Sequence, residues 1–165
     1  MSEYTAYPRD AAAREAEQGA PGSDIAYSGW WRRVAAFLID TILIWVVIVA
    51  LFALAFGVAE LNGNAGAILL IVAIVAAIAG PIWYTIWATG REPGQTVGKK
   101  ALGIRVRHAE QDSAIGYGPS TGRYLITIAF GLFVIPALVD YLWPLWDGRK
   151  QALHDKVANS IVVRA

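Results

Sequence analysis

The stretch WWRRVAAFLIDTILIW (Trp30–Trp45) sets Arg32, Arg33 and Asp40 at the head of an apolar run that continues to about Phe56. A helix needs roughly 20 residues to cross a hydrocarbon core about 30 Å thick, and this run supplies them. A charge near the bilayer centre costs about 2.5–3.5 kcal/mol on insertion scales, so Asp40 requires a partner or a task. Seven residues separate Arg33 from Asp40, which on a helix is about 700° of rotation and about 10.5 Å of rise. The two side chains therefore share a face without touching. Arg33 reads as the interfacial end of the helix and Asp40 as a carboxylate two turns inside. Its partner is expected on another element: Asp140, an incoming cation, or the basic residues around 98–100 and 148–150.

The composition agrees with this reading, since 56% of the 165 residues are hydrophobic and only 16% charged, too apolar for an ordinary soluble domain. A second apolar run at about 65–88 carries no charge, and Gly80-Pro81 is expected to kink it. Between the runs, GVAELNGNAG (57–66) reads as a short loop with Glu60 its only charge. No lysine or arginine occurs between Val34 and Gly90, whereas Arg32 and Arg33 precede the hairpin and Arg91, Lys99, Lys100, Arg105, Arg107 and Arg123 follow it. Basic loops stay in the cytoplasm, so both ends of the hairpin are expected there, in a protein of the inner (plasma) membrane. Residues 1–28 read as a disordered cytoplasmic tail with a short helix at 10–18. They lack the apolar core of a signal peptide. Residues 29–165 are then the membrane domain. The chain has no cysteine, which excludes disulfides and thiolate chemistry.

A third apolar stretch at about 122–146 is harder to place, because a plain span would carry Arg149, Lys150, Lys156 and Arg164 outside. In addition, GIRVRHAE (103–110) and NSIVVRA (159–165) both read as short strands able to pair with each other, which requires them on one side of the membrane. A broken or re-entrant pair of helices turning near Pro136 satisfies both constraints. The expected fold is an all-α polytopic membrane protein with two spanning helices, this third segment, and a small cytoplasmic β-pairing.

The most distinctive polar segment is GREPGQTVGKKALGIRV (90–106). It lacks the glycine spacing, the Ser or Thr after lysine and the preceding strand of a phosphate-binding P-loop. It reads instead as a tight turn at Pro93-Gly94, then Thr96 as a helix N-cap, then Lys99 and Lys100 against anionic headgroups. The arginine and aspartate of the first helix, GQTVGKKALGIRV, and the closing WDGRKQALHDKVANSIVVR occur in the order seen in the RDD family of small bacterial membrane proteins, named for one arginine and two aspartates. The chain resembles that family from about Trp30 to Arg164. The resemblance implies that Arg33 and Asp40 take the first two family positions and Asp155 the third, with Asp140 a rival for the third and Arg32 one residue off the pattern. For activity it implies transport, sodium/proton exchange having been proposed for some members.

The residues themselves support two functions. In one, Asp40 and Asp140 bind a monovalent cation or a proton, with Arg33 as gate or counter-charge. A carbonyl freed by Pro136 one turn from Asp140 would add a ligand. In the other, the charges serve topology and assembly of a non-catalytic scaffold or accessory subunit. The basic box (Thr96, Gly98, Lys99, Lys100) and the pinning of Asp155 by Lys99, Lys100 or loop amides fit either. With two histidines and no metal-ligand spacing, no metal, cofactor, enzymatic activity or nucleic-acid partner is expected. The expected partners are the lipid bilayer and further copies of the chain, because so few helices enclose little cavity.

Overall fold

The computed structural model describes residues 25–165. The described residues begin with two long helices, α1 (Trp30–Leu61) and α2 (Gly63–Gly90), packed against each other. At 1.5 Å per residue, 32 and 28 residues give about 48 and 42 Å, more than a bilayer core requires. Their apolar side chains face outward: Trp45, Val46, Phe56, Ile68, Ile71 and Ile78 are each more than half exposed. A core helix of a soluble domain would bury those groups, whereas here they form a continuous apolar exterior.

The expected loop at 57–66 is instead almost wholly helical. Asn62 alone separates the two helices, with extended backbone, and its side-chain oxygen accepts the amide hydrogen of Ala65. Gly66 lets the helices approach, since a Cβ there would collide with Ala59. Glycine and asparagine, expected as loop formers, here permit a one-residue reversal. Helix α2 continues through Pro81 to Gly90.

Beyond α2, Arg91–Gly94 form a turn in which the Gly94 amide donates to the Arg91 carbonyl. Gly94 has φ +75 and lies against the Val106 carbonyl, leaving no room for a side chain. The short helix α3 (Val97–Ala101) follows, capped as expected by Thr96, whose hydroxyl accepts from the Lys99 amide at 3.3 Å. Strand β1 (Ile104–His108) comes next, then α4 (Tyr117–Gly131), α5 (Val134–Leu142), a 3₁₀ turn (Trp143–Leu145), α6 (Leu153–Val157) and β2 (Ser160–Arg164). The strand pairing read from sequence is present, antiparallel, with Ile104 opposite Arg164 and His108 opposite Ser160. The free edge of β2 is covered by residues 26–28: the Ser28 amide donates to Val162, and the Arg164 amide donates to Ala26. Residues 25–28 are thus an ordered strap, while residues 1–24, with the expected helix at 10–18, lie outside the described residues. A small core of Ala36, Ile104, Val106, Ile115 and Val162 fixes the sheet beneath the first turns of α1.

The third apolar stretch is two helices, and the break lies at Leu132–Phe133 rather than at Pro136. Pro136 sits in the first turn of α5, where the missing N–H has no intrahelical acceptor to lose, so it frees no carbonyl inside a helix. Both ends of this pair return to one place. Near the start of α4, Ser120 bonds Ile86 and Thr89 close to the end of α2; near the end of α5, the Tyr141 carbonyl accepts the indole N–H of Trp30 at 2.8 Å. The reversal at 132–135 is a strongly exposed apolar point, each of its four residues at 65% or more.

Candidate functional site

Asp40 lies on the inner face of α1, opposite the N-terminus of α3. Its Oδ1 accepts the Gly98 amide at 2.8 Å and the Tyr84 hydroxyl at 3.0 Å, and its Oδ2 accepts the Thr96 hydroxyl at 2.5 Å. The Tyr84 oxygen in turn accepts the Val97 amide at 2.7 Å. These amides are orphan donors of the α3 first turn, so a carboxylate belongs there. Gly98 is required by distance: a Cβ would collide with the Ala36 carbonyl and lie 3.0 Å from the Asp40 carboxyl carbon. The partner of Asp40 is therefore the backbone and hydroxyls of the basic box together with Tyr84, and not Asp140 or a lysine.

Asp155, in the first turn of α6, is fully buried and holds two arginines. Arg33 Nη1 donates to its Oδ2 at 2.7 Å, and Arg123 Nη2, from α4, sits 2.6 Å from its Oδ1 as an ion contact off hydrogen-bond geometry. The Ala152 amide also donates to Oδ2. Burial by itself would push this carboxyl up. The charges of Arg123, His154 and Arg33 outweigh it and hold the group well below the usual carboxylate range. The expected acceptor role is thus present, but toward Arg33 and Arg123 rather than Lys99 or Lys100; of the expected partners only a loop amide remains.

Asp140, near the end of α5, is buried and bonds His154 twice, to the backbone amide at 2.9 Å and to Nδ1 at 2.7 Å. It does not mark an aqueous helix end. Arg33, Lys99, Arg123, Asp40, Asp140 and His154 all line one cavity of about 270 Å³ between the helices and the sheet. Lys99 lines this cavity, while Lys100 is exposed. Burial first, then the nearby Arg123, lower Lys99 to about 8. Among the described residues no trio of His, Asp or Glu is arranged to hold a metal ion.

Sequence reasoning missed Arg123, His154 and Tyr84 as members of this arrangement. Arg123 carries a signal, being a lone charge at the head of an apolar segment, but a role in topology alone accounts for a charge so placed. Arg32 stays outside, its guanidinium near the Leu102 carbonyl at 3.4 Å.

A match to the RDD family covers residues 27–159, and within it fall Arg33, Asp40 and Asp155. The chain belongs to the RDD family. Among its relatives, the uncharacterized membrane protein YteJ of Bacillus subtilis is 28% identical over 84% of this chain and 81% of its own. The proline-rich antigen homolog of Mycobacterium tuberculosis is 32% identical over 51% of this chain, and the proline-rich antigen of Mycobacterium leprae 30% over 47%. This RDD chain spans only about a third of the length of those mycobacterial relatives, 35% and 31%. No solved structure matches it. Family membership and the apolar exterior of α1 and α2 together make it a membrane protein.

Proposed function

We propose that this is a multi-pass protein of the inner (plasma) membrane whose arginine and aspartates fasten a cytoplasmic cap, made of α3, α6 and the sheet, to the membrane helices. It acts as a non-catalytic scaffold or accessory subunit. The observation that carries this reading is the state of the carboxylates. Every oxygen of Asp40 and Asp140 already has a hydrogen-bond partner in the protein, those of Asp155 face Arg33 and Arg123, and three cationic side chains line the cavity together with Asp40 and Asp140. A bound monovalent cation would gain no free ligand there and would meet Arg33, Lys99 and Arg123.

In this arrangement α1 and α2 span, and α4 and α5 enter and leave on one side. At 15 residues α4 is about 22 Å long, short of the hydrocarbon core. The orientation is supported by the basic residues, since the described lysines and arginines cluster at the Trp30 end of the hairpin while Glu60 lies at the other. Because the chain has no native cysteine, Arg164→Cys and Glu60→Cys report the topology directly. A membrane-impermeant maleimide on intact cells is expected to label Cys at 60 and spare Cys at 164; the opposite pattern rejects the arrangement.

The transporter reading keeps one favourable observation, the ionisable Asp140–His154 pair at the cavity wall. On that reading Asp40 and Asp140 carry a proton or monovalent cation, within a homo-oligomer. Purified protein in liposomes separates the two: the scaffold predicts no sodium- or potassium-dependent proton flux, and flux abolished by Asp40→Asn would establish the transporter.

A further inference from the structure

The cavity has a surplus of donors. Asp155 neutralises one N–H of Arg33 and contacts one of Arg123, yet Nε and Nη2 of Arg33 and Nη1 of Arg123 are buried with no protein acceptor among the described residues. Among the described residues Lys99, on the same wall, makes no side-chain hydrogen bond either. The acceptors that face these cations, Asp40 and Asp140, are occupied by Tyr84, Thr96, Gly98 and His154. Buried guanidinium N–H groups are rarely left without acceptors, and two arginines with a lysine are the donor set that suits a compact oxyanion.

From this donor surplus we propose that the cavity binds a phosphate group, with Arg33, Arg123 and Lys99 as its ligands. The volume of about 270 Å³ falls just below the ~300–1,000 Å³ typical of ligand sites and has room for a headgroup phosphate or a free ion. The clamp on Asp155 orients both guanidinium groups in advance, so binding orders little that is not already fixed. The inference goes beyond the scaffold reading and holds whether or not the chain transports anything.

The phosphate could belong to a membrane lipid or to a soluble ion, and the test separates them. Full-length protein is placed in dodecyl maltoside, a detergent without phosphate, and titrated with inorganic phosphate and with sulfate; a second series adds phosphatidylglycerol to the micelles. Saturable inorganic-anion binding in detergent alone supports a soluble ligand. Thermal stabilisation by phosphatidylglycerol without such binding supports the headgroup. In either case Lys99→Gln is expected to weaken the interaction about tenfold or more, and Lys100→Gln, changing an exposed neighbour, to leave it unchanged. A second readout needs no variant: a bound anion favours protonated Lys99, so an anion that does not titrate near pH 8, such as sulfate, is expected to bind there with uptake of up to about half a proton. For a lipid ligand the same uptake is read when phosphatidylglycerol is added to protein in detergent at pH 8. Absence of an effect in both series overturns the proposal. So does a response equally strong in Lys99→Gln.

Discussion

Asp155→Ala is the substitution whose cost follows most directly from the geometry. The carboxylate is fully buried, and the side chains of Arg33 and Arg123 are only 15% and 11% exposed, so its removal leaves two guanidinium groups facing each other with little water. Removing one partner of a buried ion pair costs about 3–5 kcal/mol, chiefly because the remaining charge is uncompensated, and here two charges remain. For a chain of this length about 2–4 °C of melting temperature corresponds to each kcal/mol, which gives a fall of about 6–20 °C. Arg33→Ala should cost less, because Asp155 keeps Arg123, His154 and the Ala152 amide. Thermal unfolding in detergent, followed by tryptophan fluorescence, measures both variants. Reporting from the sheet, a cysteine at His108 should become more reactive in Asp155→Ala, since α6 is the tie between β2 and the helices. If Asp155→Ala shifts the melting temperature by less than about 2 °C, or by less than Arg33→Ala, the clamp does not hold the cap.

Further expectations concern the second aspartate, the close approach and pH. Asp40→Ala strands the Gly98 amide and the Thr96 and Tyr84 hydroxyls, and should cost about 1.5–3 kcal/mol by denaturant titration, with Tyr84→Phe nearer 1. Gly98→Ala overpacks the contact between α3 and α1 and should cost about 1–3 kcal/mol in the same measurement, whereas Gly148→Ala, with open space around it, should be close to neutral. Asp155 is depressed in the folded state, so its stabilisation is complete above the unfolded value and lost as pH falls below about 4; melting curves between pH 5 and 8 should show no contribution from it. Lys99 is lowered from 10.5 to about 8, so the unfolded chain binds the extra proton between those values. Stability should therefore rise with pH across that window, and Lys99→Met should remove the rise.

Much of the site was legible because it rests on local rules. Thr96 as N-cap and Gly94 in a turn follow from backbone requirements of a few residues, and the pairing of 104–108 with 160–164 follows from two exposed strands that need each other. The spacing of Arg33 and Asp40 excluded a direct pair, and each indeed has its own partner. What escaped was long-range or hidden in uniform composition. The break at Leu132–Phe133 lies inside an apolar run with no polar punctuation, because the chain reverses there in apolar surroundings. Gly131 ending α4 and Pro136 in the first turn of α5 were the available signals, and they bracket the break rather than mark it. Arg123 and His154 join the site only through folding of α4 and α6 against Arg33, which no local pattern encodes.

The single-residue connection at Asn62 reaches further than packing. If α1 and α2 span with their joint outward, this hairpin offers the exterior one asparagine and the adjoining helix ends. A protease, an antibody or a soluble ligand would find almost nothing to grip on it. A partner that recognises the hairpin must then reach it sideways through the lipid, and a screen for such partners belongs within the membrane.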